Sequence, residues 1–267
     1  MKSVILIVLL SALTLSSFGQ KSDIDIKEIQ KSLAKITDSL YASKFEVTNK
    51  LFITFLNSIK QTENIDDFKA AEIRSENWKT TGEYTDPLAE YYHSHEAYEN
   101  YPVVNISYKG AILFCEWLTN QYNENTKRKF NKVIFRLPSK EEWIIAAKGG
   151  DSNAIYPWKG TELKNKKGQY FCNFKNSEDR FCSVKGVKHT ENADITTLSL
   201  SYFPNSYGLY NMSGNVSEML AEEGFVIGGN WKDSEEHMKI ETDSNYYKTE
   251  SSMPTIGFRF FMDLIER

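Results

Sequence analysis

Histidine and cysteine are scarce in this chain, four and three respectively among 267 residues, and they assemble into no recognisable catalytic triad or metal cluster. His93 and His95 stand two apart with Glu96 adjacent, a pattern that would place two imidazoles on one side of a strand. No third ligand accompanies them, and the stretch reads as a solvated loop with incidental histidines. A basic surplus is missing as well. Lys and Arg number 32 against 36 Asp and Glu, a net charge of −4, so no cationic face is available to displace counterions from phosphates, and nucleic acid is excluded as a partner. Downstream of the first 20 residues no apolar run is long enough for a membrane span. Internal repeats and low-complexity segments are absent.

What is present points to a folded, exported domain. Hydrophobic residues make up 40% and aromatics 13%, with 16 Phe, 15 Tyr and 5 Trp, which supplies apolar area for one sizeable core and predicts a single large domain rather than disorder. Lys2 precedes an apolar run from Val4 to Leu15, and Ser17 and Gly19 follow at the small-residue positions of a cleavage site. Residues 1–19 are therefore expected to be a signal peptide cut before Gln20, with a secreted or periplasmic product. No cysteine follows the run to take a lipid anchor. In an oxidising compartment two of the three cysteines are expected to pair, and Cys172 and Cys182, which flank a polar stretch, are the natural couple. Cys115 lies on a helical apolar stripe with Ala111, Phe114, Leu118 and Tyr122 and is expected to be a buried, inert thiol.

Ile26, Ile29, Leu33, Ile36 and Leu40 recur at helical spacing, so residues 20–39 are expected to form an amphipathic lead-in to a domain over 40–267. An extended piece, Tyr41 to Val47, leads to a helix over Asn49 to Lys60 capped by Thr48. Gln61 to Asn100 shows no sustained period and reads as connecting structure. A strand over Tyr101 to Ser107, a helix over Lys109 to Gln121 and a strand over Val133 to Leu137 follow. Ser139 and Glu142 form a capping box that starts a helix at Lys140, and from Gly149 onward short strands and loops are expected.

Several segments in fixed order carry more than local pattern. Phe45-Glu46-Val47-Thr48-Asn49, Tyr101-Pro102-Val103-Val104-Asn105-Ile106-Ser107-Tyr108, Phe135-Arg136-Leu137-Pro138-Ser139 with Glu142-Trp143, Tyr156-Pro157-Trp158, the run Tyr207 to Glu218, Gly228-Gly229-Asn230-Trp231 and Gly257-Phe258-Arg259-Phe260 resemble the landmarks of the formylglycine-generating enzyme (sulfatase-modifying factor) superfamily. The resemblance runs from Leu40 to Asp263. It implies an α+β, loop-rich fold of the distorted C-type-lectin kind.

The resemblance also implies sites. Around Asn211 a carboxamide, a carboxylate and main-chain carbonyls crowd a glycine-containing loop, the oxygen-rich setting that calcium prefers. Asn211 and Glu218 would be side-chain ligands of one calcium, with the carbonyls of Gly214 and Val216. A second calcium would use Asn173 and the carbonyl of Phe174 with an acid further on, Glu191 or Asp194. The superfamily's oxidation of a sulfatase cysteine uses two cysteines that bind copper. Here the matching positions hold Asp233 and Met238, and no cysteine follows Cys182. Copper(I) requires soft thiolates, so no copper is expected and the residues imply no catalytic pair. Two functions remain. One is a non-catalytic, calcium-stabilised module that binds or assembles with a protein, peptide or glycan, similar to cysteine-free domains of gliding-motility and type IX secretion lipoproteins. The other is an oxidoreductase or transferase with a different centre built on Asp233 and His237.

Overall fold

The computed structural model describes residues 24–61, 64–81, 85–175, 194–249 and 251–267. The expected signal peptide, Cys182 and Glu191 lie outside the described residues. The architecture is α+β, with helices and two four-stranded sheets, and much of the second half of the chain runs in turns and loops.

The first sheet has the order β1-β2-β8-β3, all antiparallel, from β1 (Leu33–Lys35), β2 (Leu40–Ser43), β3 (Lys132–Arg136) and β8 (Phe261–Glu266). The second has the order β6-β5-β4-β7, from β4 (Ser217–Met219), β5 (Phe225–Ile227), β6 (Tyr246–Lys248) and β7 (Ile256–Gly257). Six helices accompany them: α1 (Ile26–Ser32), α2 (Asn49–Lys60), α3 (Ile65–Ala71), α4 (Asp86–Tyr91), α5 (Tyr108–Glu124) and α6 (Lys140–Lys148).

The helix starts follow capping chemistry. Thr48 accepts from the Leu51 amide, Ser107 from that of Gly110, and Ser139 and Glu142 close a reciprocal capping box at α6. Glu142 also takes a bidentate contact from Arg136, whose guanidinium reaches Asp263 on β8, with closest approaches of 2.6 Å to each acid. One side chain thus ties the start of α6 to the sheet.

Three expectations change. The amphipathic run from Ile26 to Leu40 is a helix only as far as Ser32. Leu33–Lys35 turns into a strand because it pairs with β2, and the later apolar positions Ile36 and Leu40 are buried beside that hairpin. The segment is built into the fold, since Ile24, Ile26 and Ile29 join the main core. Gln61 to Asn100 contains α3, α4 and two 3-10 turns instead of plain connecting chain. Tyr101 to Ser107 is no regular strand: it makes a single bridge, Pro102 to Thr48, and runs buried through Val103, Val104 and Ile106.

Phe114 on α5 is the hub of the main core. Its ring meets Phe52 and Phe55 of α2, Trp117 on its own helix, and Phe258 and Phe260, at centroid distances of 5.3–6.2 Å. Cys115 beside it is buried, its thiol pushed well above the ordinary range by desolvation, as an inert core residue should be. We expect Phe114→Ala to cost about 3–5 kcal/mol, because five aromatic neighbours cannot all collapse into the void. Urea unfolding monitored by tryptophan fluorescence measures it, and a cost below about 1 kcal/mol would contradict this packing role.

Candidate functional site

Three ionisable side chains meet in the interior: Glu46 after β2, Glu218 on β4 and Arg259 between β7 and β8, each at most 1% exposed. Arg259 donates to both oxygens of Glu218, Nη2 to Oε1 at 2.5 Å and Nε to Oε2 at 2.7 Å. The Trp143 indole N–H adds a bond to Oε2 at 2.7 Å. The remaining guanidinium hydrogens go to the carbonyls of Ser43 and Tyr210, at 3.1 and 2.8 Å. Every polar atom of Glu218 and Arg259 is therefore matched, which is what makes two buried charges tolerable.

Glu46 is held differently. Its two oxygens accept from the amides of Asn211 and Asn215, at 3.0 and 2.9 Å. Burial pushes its pKa up to about 8; Arg259 partly offsets this, while Glu218 adds to it. The asparagines are fixed by the loop, with Asn211 and Asn215 at φ 52° and 64°, and the Asn215 Oδ1 takes the Thr197 amide at 2.8 Å.

This arrangement bears on the calcium expectation. The buried Oδ1 of Asn211 accepts no hydrogen bond, which on its own suits a cation. Glu218 does not fit, because its carboxylate is filled by the Arg259 guanidinium and the Trp143 N–H, and a second positive charge at that carboxylate would be repelled by the first. At Gly214 the backbone has φ 77° and lies so close to the Asn173 carbonyl that any side chain would collide with it. Val216 buries its side chain with Trp78, Tyr92 and Trp231. Of the second expected set, Asn173 is fully buried, its Nδ2 bonded to the Ile195 carbonyl at 2.8 Å and its own carbonyl taken by the Asn215 amide. Phe174 packs with Tyr170 and Cys172, and Asp194 is exposed. The asparagine loops are thus braced by the protein's own donors and acceptors, and the Glu218 carboxylate is already matched by a guanidinium.

Next to this ionic core runs the loop that starts at Gly228. Asn230 donates through Nδ2 to Asp233 Oδ2 at 2.6 Å and to Ser217 Oγ at 3.1 Å, and its backbone amide meets the same Asp233 oxygen. Tyr247 donates its hydroxyl to Ser217 Oγ at 3.1 Å. The Asp233 pKa is raised by burial against opposing contributions from His237 and Asn230, and burial raises Tyr247 as well. His237 lies on a 3-10 turn, Glu235–Met238, with Nδ1 3.2 Å from Ser234 Oγ. Met238 is fully buried among Tyr156, Tyr170, Cys172 and Phe174. Asp233 thus acts as the acceptor that closes its own loop, and Met238 as a core residue.

Cys172 is a free thiol in that cluster, 1% exposed and with its pKa raised by desolvation. Its expected partner, Cys182, lies outside the described residues. The histidine pair is also corrected. His93 is half-buried just past the end of α4, its Nδ1 3.0 Å from Ser75 Oγ and its Nε2 3.2 Å from the Val104 carbonyl, with its pKa lowered to about 4 by desolvation. His95 caps the turn Glu96–Tyr98 through Nδ1. Both rings are spent on the chain's own groups. Sequence reading had placed Glu46, Trp143 and Arg259 inside landmarks without giving them a role. The available signal was a charged residue flanked by apolar ones, Phe45-Glu46-Val47 and Phe258-Arg259-Phe260.

Two outcomes follow from the ionic core. Glu46 binds its proton more tightly folded than unfolded, so its contribution to stability is complete below about pH 4.5 and is lost as pH rises through about 8, at roughly 1 kcal/mol per pH unit between. Glu46→Gln should flatten the stability profile from pH 5 to 8 relative to the parent, and urea unfolding across that range reads it; parallel profiles would refute the assignment. Arg259→Met strands Glu218 without its partner and should cost about 3–5 kcal/mol, whereas a loss under about 1 kcal/mol would show the pair to be incidental.

The sulfatase-modifying factor enzyme 1-like domain matches residues 17–264. The formylglycine-generating enzyme of Thermomonospora curvata is 32% identical over 123 residues, 46% of this chain but only 34% of that protein. Mouse inactive C-alpha-formylglycine-generating enzyme 2 is 28% identical over 250 residues, 80% of this chain and 72% of that one. Among solved structures, PvdO from Pseudomonas aeruginosa superposes with a TM-score of 0.54 at 17% identity, covering 84% of this chain and 80% of that chain. CarF gives 0.52 at 21% identity, covering 84% and 86%. With its ordered landmarks and this match over almost its whole length, the chain belongs to the sulfatase-modifying factor enzyme 1-like family.

Proposed function

We propose that this protein is an exported, non-catalytic member of its family, a module that binds or assembles with another molecule and lacks the cysteine-dependent oxidation. The observation that carries the reading is the fate of the two positions the resemblance assigns to the copper-binding cysteines. Asp233 spends its carboxylate on Asn230, and Met238 is sealed in an aromatic cluster. A hard carboxylate and a buried thioether do not make a bis-thiolate site, and among the described residues the thiols, Cys115 and Cys172, are buried with their ionisation suppressed. The similarity over most of the chain to a mouse protein named as an inactive formylglycine-generating enzyme favours the same reading. Export rests on the apolar, small-residue-terminated leader, and the binding role on the loop-rich surface, where recognition residues commonly sit.

The competing oxidoreductase reading would need a centre built from Asp233, His237, Ser217 and Tyr247. Ser217 accepts from Asn230 and Tyr247, and among the described residues its hydrogen-bond partners include no histidine that would serve as its base. A cysteine peptide carrying a sulfatase recognition sequence, incubated with protein, copper and a reductant, should keep its mass. Conversion of the thiol to an aldehyde, or stoichiometric iron or copper in the purified protein, would sink the non-catalytic reading.

A further inference from the structure

A cavity of about 530 Å³ opens between the first turn of α5, the segment around Arg74 and the sheet formed by β4, β5, β6 and β7. That volume falls in the range of sites that take small organic molecules. Its floor is apolar and belongs to the main core: Ile106, Met219, Val226 and Ile256 are all buried. Its rim is cationic. Among the described residues, Arg74, Lys109 and Lys248 reach it from three separate parts of the chain, with the acid Glu223. Arg74 and Lys109 are exposed and form no ion pair among the described residues. The hydroxyl side chains of Thr249, Ser251 and Ser252 also line it. The Ser107 side chain is spent, donating to the Ala70 carbonyl and accepting the Gly110 amide, so the attraction comes from side chains and not from open helix amides.

We propose that this cavity binds a small organic anion, an apolar body seated on the Met219–Val226–Ile256 floor with a carboxylate or similar head group held by Arg74 and Lys109. The two halves of the lining select together. A bare inorganic anion leaves the apolar floor wet, and a neutral or cationic amphiphile leaves the guanidinium and ammonium without a partner or repelled by them. The proposal is independent of whether the Asp233 loop is catalytic.

Titration calorimetry with octanoate, octylamine, octan-1-ol and inorganic phosphate tests it. Octanoate should bind once per chain, more weakly as salt rises, and at least about tenfold more tightly than the other three. The double variant Arg74→Glu, Lys109→Glu should weaken octanoate by about tenfold or more while leaving the ligand-free melting temperature unchanged, because both side chains are exposed. Octanol binding as tightly as octanoate would reduce the cavity to an apolar crevice. Phosphate binding equally well would remove any role for the floor. Undiminished octanoate binding by the charge-reversed variant would place the anion elsewhere. Each of these three results overturns the proposal.

Discussion

The contact on which most of this molecule depends is the one between the Arg259 guanidinium and the Glu218 carboxylate, both taken wholly out of water. Arg259 comes from the crossing between the two sheets, Glu218 from the middle of the second sheet, and the carbonyls that complete the guanidinium belong to the end of β2 and to the loop before Asn211. Withdrawing these charges from solvent costs several kcal/mol per ion, and only close, fully paired geometry recovers it. That requirement fixes where four chain segments stand relative to one another. The asparagine loop is placed by the same demand, because Glu46 needs the Asn211 and Asn215 amides.

The sequence was legible where a local rule is strong. Thr48, Ser107 and Ser139 announced helix starts because a side-chain oxygen at a helix N-terminus satisfies an amide that nothing nearer can. Cys115 was placed correctly because four apolar neighbours shared its helical stripe. The run from Ile26 to Leu40 misled for the opposite reason. Its spacing suits a helix, but pairing with β2 after Ser32 satisfies the backbone better, and a pairing partner is invisible to periodicity. The long segment before Tyr101 has helices too short to show a period.

At the candidate site the motif letters were legible and their roles were not. Residues that resemblance assigned to ions serve one another instead: Glu218 faces a guanidinium, Asn215 bridges Glu46 and Thr197, and Asp233 folds back on Asn230. A carboxylate in a motif carries the same letter whether its counter-charge is a metal or an arginine 41 residues further along. Only the three-dimensional partner decides between them, and here that partner comes from beyond the motif.

The pairing of β2 with β8 sets Leu40 opposite Asp263, with β3 on the other side of β8. The first sheet is therefore completed by a strand more than two hundred residues downstream of β2, and Arg259, which pairs with Glu218, lies just ahead of that strand. Until that stretch is made, Glu218 has no cation to enter the interior with, and β2 and β3 lack the strand that lies between them. Loop closure across more than two hundred residues must come before the core can dry, so assembly of this core waits on a distant strand rather than proceeding by stepwise accretion from the N-terminus.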